Sequence, residues 1–399
     1  MNATEYAILV INGGSSSIKF ALFTSHAPAE LVFRGEVENI GTPHARLRSI
    51  YMLRQQIEEI LLPAADFESA AKFLIDWIGK QKDMDRVQAI GHRIVHGMDH
   101  TEPQLITPGF LTELKKIAVF DPEHLPGEIR LLNMFQNRYP SLPQIACFDT
   151  AFHATMPLVA KWLAIPRKYF ERGIRRYGFH GLSYAYLMEE LASLKGPRVD
   201  HEKIILAHLG NGASLAAVKE GKSMDTSMGF TPTAGIPMGT RSGDLDPGVL
   251  RYLLQEENGG IEEYMHLITH QSGLLGISET NSDMRELLKL QATDHRAAEA
   301  IALFCYQIKK WIGSYAAALG GLDSLVFSGG IGENAPEIRQ RVCLDLQFLG
   351  IELDEKRNAG NLGIISSDQS RVEVLVIKTN EELMIARMAA ALMQQAVKH

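Results

Sequence analysis

Ala7-Ile8-Leu9-Val10-Ile11-Asn12-Gly13-Gly14-Ser15-Ser16-Ser17-Ile18-Lys19-Phe20-Ala21-Leu22 runs from an apolar strand through a turn of small residues into a second strand. Gly13 and Gly14 admit backbone conformations closed to other residues. The three hydroxyls, the N–H groups and Lys19 make a concave, donor-rich surface that suits phosphate. A Walker A loop has the form G-x-x-x-x-G-K-[ST] and opens a helix. Here Ile18, Phe20 and Leu22 alternate with other residues, which predicts a hairpin whose tip holds phosphates. A Ser/Gly turn alone reads equally as an ordinary hairpin loop, so the rest of the chain has to decide.

The design recurs in Ile204-Ile205-Leu206-Ala207-His208-Leu209-Gly210-Asn211-Gly212-Ala213-Ser214-Leu215-Ala216-Ala217-Val218, which we read as an internal duplication. A third Gly-rich turn, Ser328-Gly329-Gly330-Ile331-Gly332-Glu333-Asn334-Ala335, follows a short apolar strand and precedes the helical stretch 336–344. Its glycines let a base or ribose approach the backbone, and the helix start favours anionic groups.

The 399 residues are enough for about two domains, and 46% hydrophobic content supplies their cores. A net charge of -7 without a basic block argues against nucleic acid or a membrane surface as partner and leaves small molecules. Cys147, Cys305 and Cys343 lack metal-ligand spacing and sit in apolar contexts, which predicts reduced, buried thiols and a cytoplasmic setting. The N-terminus lacks a basic leader region, and no apolar run reaches the roughly 18 residues needed to span a bilayer.

Between the repeats, Leu31 to Val37 reads as a strand, and Tyr51 to Leu61 and Ala70 to Ile78 carry helical spacing. Val87 to Met98 reads as a strand bearing His92, Arg93 and His96. Two histidines four apart on a strand are separated by about 13 Å of rise, which disfavours zinc. Arg93 is placed to fork onto a carboxylate or phosphoryl group, or to make a structural ion pair. The loop 120–127 separates an amphipathic stretch from a second helix, 128–136, and is a pocket-wall candidate. Asp149 follows the strand at Gln144, where open α/β sheets bind ligands; it reads equally as an N-cap or turn acid. Arg175, Arg176, Tyr177, Phe179 and His180 cluster around two glycines before a helix, with His180 as a phosphoryl or oxyanion donor. Ser223 to Asp246 reads as a long functional loop with Arg241 as its reaching cation. His266 and His270 have helical metal spacing but no third ligand in view. A terminal helix, 381–397, carries an apolar stripe that needs a core.

In order along the chain, Asn12 to Phe20, Gly91-His92-Arg93-Ile94-Val95-His96-Gly97, Phe148-Asp149-Thr150-Ala151-Phe152-His153, Arg175 to Gly181, His208 to Gly212, Met238 to Asp244, Gly329 to Asn334 and Thr379-Asn380-Glu381-Glu382 resemble the acetokinase family of the actin/sugar-kinase/Hsp70 superfamily. The resemblance covers nearly the full length. It implies an α/β chain with a duplicated actin-like (ribonuclease H-like) fold, two domains around a nucleotide cleft. The expected domains are 1–150, joined by the C-terminal helix 383–399, and 151–382. It implies reversible transfer of the ATP γ-phosphoryl to acetate, giving acetyl phosphate and ADP, with Mg²⁺ or Mn²⁺. Propionate and butyrate are the alternative acceptors, and a homodimer is expected.

Carried onto this chain, the resemblance has Asn12 and Glu381 holding the metal. Lys19 and the turn His208, Leu209, Gly210, Asn211 and Gly212 contact phosphates. Asp283, Met284 and Arg285, with Ile331, Gly332, Glu333, Asn334 and Ala335, frame the adenosine. Asp149, His180 and Arg241 are catalytic, and Arg93, Val95, His124, Phe179 and Pro232 hold the acyl substrate. Where many family members carry Leu-His-Asn-Pro, this chain has Glu123-His124-Leu125-Pro126. The extra carboxylate either turns away from the acyl pocket or alters its preference.

Overall fold

The computed structural model describes residues 6–14, 16–62, 66–256 and 260–397, so Ser15 of the first hairpin tip and the N-terminal stretch read for a leader lie outside the described residues. The chain divides into two compact units, Met1–Ala151 with Asn380–His399, and Phe152–Thr379.

The first unit is built on β1 (Ala7–Gly13) and β2 (Ile18–Thr24), which form the expected antiparallel hairpin. β1 is buried throughout, and β2 exposes only Lys19, as strands covered on both faces do. β3 (Leu31–Glu38), β4 (Arg46–Tyr51) and β5 (Gln56–Leu61) continue the antiparallel run. On the other side β6 (Val87–Ile94) is parallel to β1, followed by β8 (Gln144–Phe148) and the short β7 (Gln104–Leu105). One sheet face packs on the helices Phe67–Gly79 and Leu125–Arg138, through Leu9, Ile11, Phe20, Phe33, Trp77 and Phe135. Side chains alternate along β6, so Ile90 enters that core while Gly91 faces the opposite side. There the helix Glu381–Val397 returns from the end of the chain, and a Cβ on Gly91 would stand 2.6 Å from Ile385 Cγ2.

The second unit repeats the plan. β9 (Lys203–Leu209) and β10 (Ala213–Lys219) form a hairpin, β11 (Lys222–Thr226) extends it, and β12 (Ser324–Ser328) and β13 (Glu373–Val376) add in parallel. The order β11-β10-β9-β12-β13 reproduces β3-β2-β1-β6-β8, three antiparallel strands then two parallel ones. This is the duplicated actin-like α/β architecture. The helix Gly181–Lys195 buries Tyr184, Leu187 and Leu191 against β9 and β10, and the helix His295–Leu319 packs on the same two strands.

Four local expectations are corrected. Tyr51–Leu61 is a β-hairpin: the chain turns at Gln55 with φ 48°, and cross-strand pairs Arg48 with Glu59 and Ile50 with Ile57 hold the edge. Its one-sided apolar pattern fits a half-exposed edge strand as well as a helix face. The Gly329 turn is itself a short helix, Gly329–Asn334, tied down by Glu333 accepting from Gly329 N–H at 3.0 Å. The helix expected from Glu128 starts at Leu125, where Pro126 occupies the first turn. The loop 223–246 also begins inside β11. The three cysteines are free and buried, and among the described residues no helix is long and apolar enough to cross a membrane.

Gly91→Ala forces a methyl group into Ile385. It should lower the urea midpoint by an amount equivalent to about 1–3 kcal/mol. An unchanged midpoint would show that the returning helix yields freely.

Candidate functional site

In the first unit, parallel pairing sets Arg93 of β6 beside Cys147 of β8, which brings Asp149 alongside the guanidinium. Arg93 Nε and Nη2 both donate to Asp149 Oδ2, at 3.0 and 2.5 Å. Nη1 faces Glu128 Oε1 at 3.9 Å, and Glu128 Oε2 accepts the Val95 N–H at 2.9 Å. Burial works against the charge on Arg93, but Asp149, Glu128 and Glu381 outweigh it and raise its pKa. Burial pushes the Glu128 carboxyl up to about 8 against the pull of Arg93. Val95 is buried, and His124 bonds through Nδ1 to Asp121 Oδ1 at 2.9 Å. Glu123 points outward and is exposed, so the departure at this loop leaves its carboxylate on the surface.

Asn12 Nδ2 donates to Glu381 and to Glu382, each at 3.3 Å. The Glu382 carboxyl is raised by burial and by its neighbour Glu381. Desolvation would lower the Lys19 ammonium, yet Glu382, Glu381 and Glu36 raise it. Among the described residues no group of three or more His, Cys, Asp or Glu could cage a metal ion. Two crowded carboxylates with an amide oxygen nevertheless fit magnesium, which is held by few protein oxygens and completes its shell with water and phosphate. His92 bonds to Gln144 Oε1 at 2.7 Å and is pushed down to about 4 by burial, a core histidine. Burial raises Cys147 to about 12, leaving a packed thiol.

In the second unit, His180 caps the helix Gly181–Lys195 in a left-handed conformation, φ 60°. Its Nδ1 bonds to Ser214 Oγ at 2.9 Å, and Ser214 bonds to Tyr184 Oη at 2.5 Å. The His180 ring stacks on His208, centroids 4.3 Å apart, and His208 Nδ1 bonds to Ser183 Oγ at 2.8 Å. A Cβ on Gly212 would lie 3.3 Å from His180 Nε2 and 3.7 Å from Arg241 Nη1. The two donors therefore converge over the Gly210–Gly212 turn. Arg241 Nη1 donates to Pro232 O at 3.2 Å, and Gly239 N–H donates to Asn211 O at 3.0 Å. Phe179 is buried, and its carbonyl bonds to His153 Nε2 at 3.1 Å. Arg176 donates to the carbonyls of Thr226, Ser227 and Met228, a scaffold role.

A cavity of about 520 Å³ opens in the first unit beside Lys19, Glu36 and Glu382, and one of about 530 Å³ in the second. The second is lined by Gly210, Asn211, Asp283, Met284, Arg285, Ile331, Asn334 and Ala335. Three segments far apart in sequence thus meet as one pocket. Gly332 and Glu333 do not line it. Gly332 is on the buried side of the Gly329–Asn334 helix, its carbonyl accepting from Arg339, and Glu333 accepts from Gly329 and Thr379. Leu209 is buried in β9. His266 and His270, both exposed, stack on each other with centroids 4.7 Å apart, without a third ligand among the described residues.

Sequence reasoning missed Glu128, Glu382, the Ser214–Tyr184 pair and Arg339. Only Glu382, adjacent to Glu381, carried a local signal. Arg339, fully buried, donates to Asn358 Oδ1, Gly332 O, Asn358 O and Asn361 Oδ1, and so anchors the Gly329–Asn334 helix.

The model of the Acetokinase family matches residues 7–387. An acetate kinase of Rhodopseudomonas palustris is 44% identical over 387 residues, 95% of this chain and 96% of that protein. The crystal structure of a propionate kinase from Francisella tularensis superposes with TM-score 0.90 at 39% identity, covering 96% of this chain and 98% of its own. That of an acetate kinase from Porphyromonas gingivalis gives 0.86 at 37%, covering 97% and 100%.

Arg339→Leu strands several buried carbonyls beneath the pocket floor. Denaturant titration should show a loss of about 3 kcal/mol in the second unit; an unchanged midpoint would mean that water replaces the guanidinium.

Proposed function

The chain belongs to the acetokinase family and phosphorylates acetate; we propose that the γ-phosphoryl group of ATP passes to an acetate oxygen reversibly and in line. Acetate is ionised at neutral pH, so its oxygen attacks phosphorus without a general base. The bond to the new acyl oxygen forms as the bond to the β–γ bridging oxygen breaks, giving acetyl phosphate and ADP. The chemical task is to bring two anions together, and fixed positive groups accomplish it.

The observation that carries this reading is the convergence of His180 Nε2 and Arg241 Nη1 on Gly212. Phosphate oxygens settle on the Gly210–Gly212 turn, where these two groups meet the transferring phosphoryl. Arg93, held flat by Asp149, positions the acetate carboxylate, and Val95, His124, Phe179 and Pro232 bound its methyl group. Asp149 orients Arg93 and abstracts no proton. Lys19 contacts phosphate. Asn12, Glu381 and Glu382 would hold magnesium, or manganese in its place, which supplies charge screening of the phosphate oxygens. The adenosine takes the pocket beside Asp283, Met284, Arg285, Ile331, Asn334 and Ala335. The same reading carries a cytoplasmic homodimer, for which sedimentation is the check.

ATP-dependent acyl-hydroxamate formation with magnesium should favour acetate over propionate and butyrate in kcat/KM. The difference of one methylene is worth only about 1–3 kcal/mol, so weak turnover of propionate is expected. No hydroxamate with any of the three would overturn the assignment. Arg241→Ala and His180→Ala should each lower kcat by about 10² to 10³. Near-normal turnover in both would remove them from the mechanism. A Cβ on Gly239 would overlap Asn211 Oδ1. Gly239→Ala should therefore cost at least roughly tenfold in kcat/KM for ATP, as a misplaced contact does.

A further inference from the structure

Arg93 is the group that receives acetate in the function proposed above, and the following rests on that reading. Its guanidinium has two occupied edges. Nε and Nη2 are taken by Asp149, and Nη1 faces Glu128, whose Oε1 is buried without a hydrogen-bond partner. With both acids ionised, one positive charge meets two negative ones, and a third anion has to bind there. The other oxygen of Glu128 holds the Val95 N–H, so the side chain is fixed at the wall of the acyl pocket and cannot swing away.

We propose that Glu128 is a proton-coupled positioning residue: acetate binds with Glu128 neutral, its Oε1 carrying a proton taken from solvent, and the proton leaves again when the site empties. Neutral Glu128 stops competing for Nη1 of Arg93 and leaves that edge to the acetate carboxylate. Its Oε2 remains the acceptor for Val95, so the pocket wall does not move. The one bond formed is the O–H on Oε1; above about pH 8, where Glu128 of the empty site is ionised, up to one proton is taken from solvent per binding event, and below about pH 7 none is.

The charged groups facing Glu128 are Arg93 from β6, Asp149 after β8 and Asp121 from the turn before its own helix, with His124 bonded to Asp121. The neighbouring helices Phe67–Gly79 and Pro108–Ile117 and the strand β1 present apolar side chains to this helix. Arg93 favours the anion, whereas burial and the two aspartates favour the acid, and the balance lies near pH 8.

The sign follows from linkage: a group that binds a proton with the ligand weakens binding as pH rises through its free-state pKa. KM for acetate should be flat below about pH 7 and rise about tenfold per unit above 8, acetate being ionised throughout. Glu128→Gln keeps an acceptor for Val95 without the titration. It should remove the slope, so that at pH 9 its KM falls about tenfold below that of the unaltered enzyme. In the unaltered enzyme, acetate added at pH 8.5 in dilute buffer with an indicator dye should take up most of one proton per site. This readout needs no variant to fold. A flat KM profile with no proton uptake, or a Glu128→Gln profile that keeps its slope, overturns the inference while leaving the kinase reading intact. Absence of acetate-dependent turnover at every pH overturns both.

Discussion

A guanidinium whose side chain is only 16% exposed cannot stand without anions, and the requirement at Arg93 organises the first unit. Parallel pairing of β6 with β8 delivers Asp149, and the helix starting at Leu125 delivers Glu128. Each acid has a second duty. Asp149 closes β8 by donating its own N–H to Ile94 O at 3.0 Å, and Glu128 ties down the backbone of Val95. The ion cluster and the strand ends therefore support each other. That is why a site with so many charges can sit at buried strand ends, where an isolated charge would be expelled or neutralised.

The duplication was legible because both hairpins carry uninterrupted apolar strands around turns of Gly, Asn and Ser, a pattern that few other local structures tolerate. The association of residues 283–285 with 331–335, and of Arg93 with Asp149, was legible from motifs. The β4–β5 hairpin was not, since Ile57 and Leu61 on an exposed edge strand satisfy helical and strand periods equally. The Gly329–Asn334 helix was hidden by its glycines, whose poor propensity is overridden by Glu333 and by Arg339 beneath. Glu128 was hidden for a different reason. Its place among the ions depends on the helix beginning three residues earlier than its pattern suggests, and on strands far away in the chain.

The two units share strand order and differ in the tips. β1 and β2 pair up to Gly13 and Ile18 and leave four residues between them, whereas β9 and β10 pair up to Leu209 and Ala213 and leave three. The longer tip is accompanied by Lys19 and the acids of the returning helix. The shorter one lies beneath His180 and His208, whose stacked rings are each fixed by a serine hydroxyl. The repeated backbone plan thus carries different chemistry at its two hairpin tips, acid and ammonium at one, imidazole and guanidinium at the other.

Glu123 and Glu128 illustrate why burial, more than residue type, decides what a charge does. Glu123 departs from the family pattern, as Leu125 does, and it is exposed, where water screens its charge. Glu128, five residues on, is buried against Arg93 and Val95. The same carboxyl group there becomes an acid of about 8, and its charge state sets how much of the guanidinium an incoming anion can use. Between these two positions lies one turn of helix start, fixed by Leu125 entering the core with Phe110, Leu114 and Phe148. An apolar contact therefore determines which acid reaches the site, and the electrostatics of substrate binding follow from it.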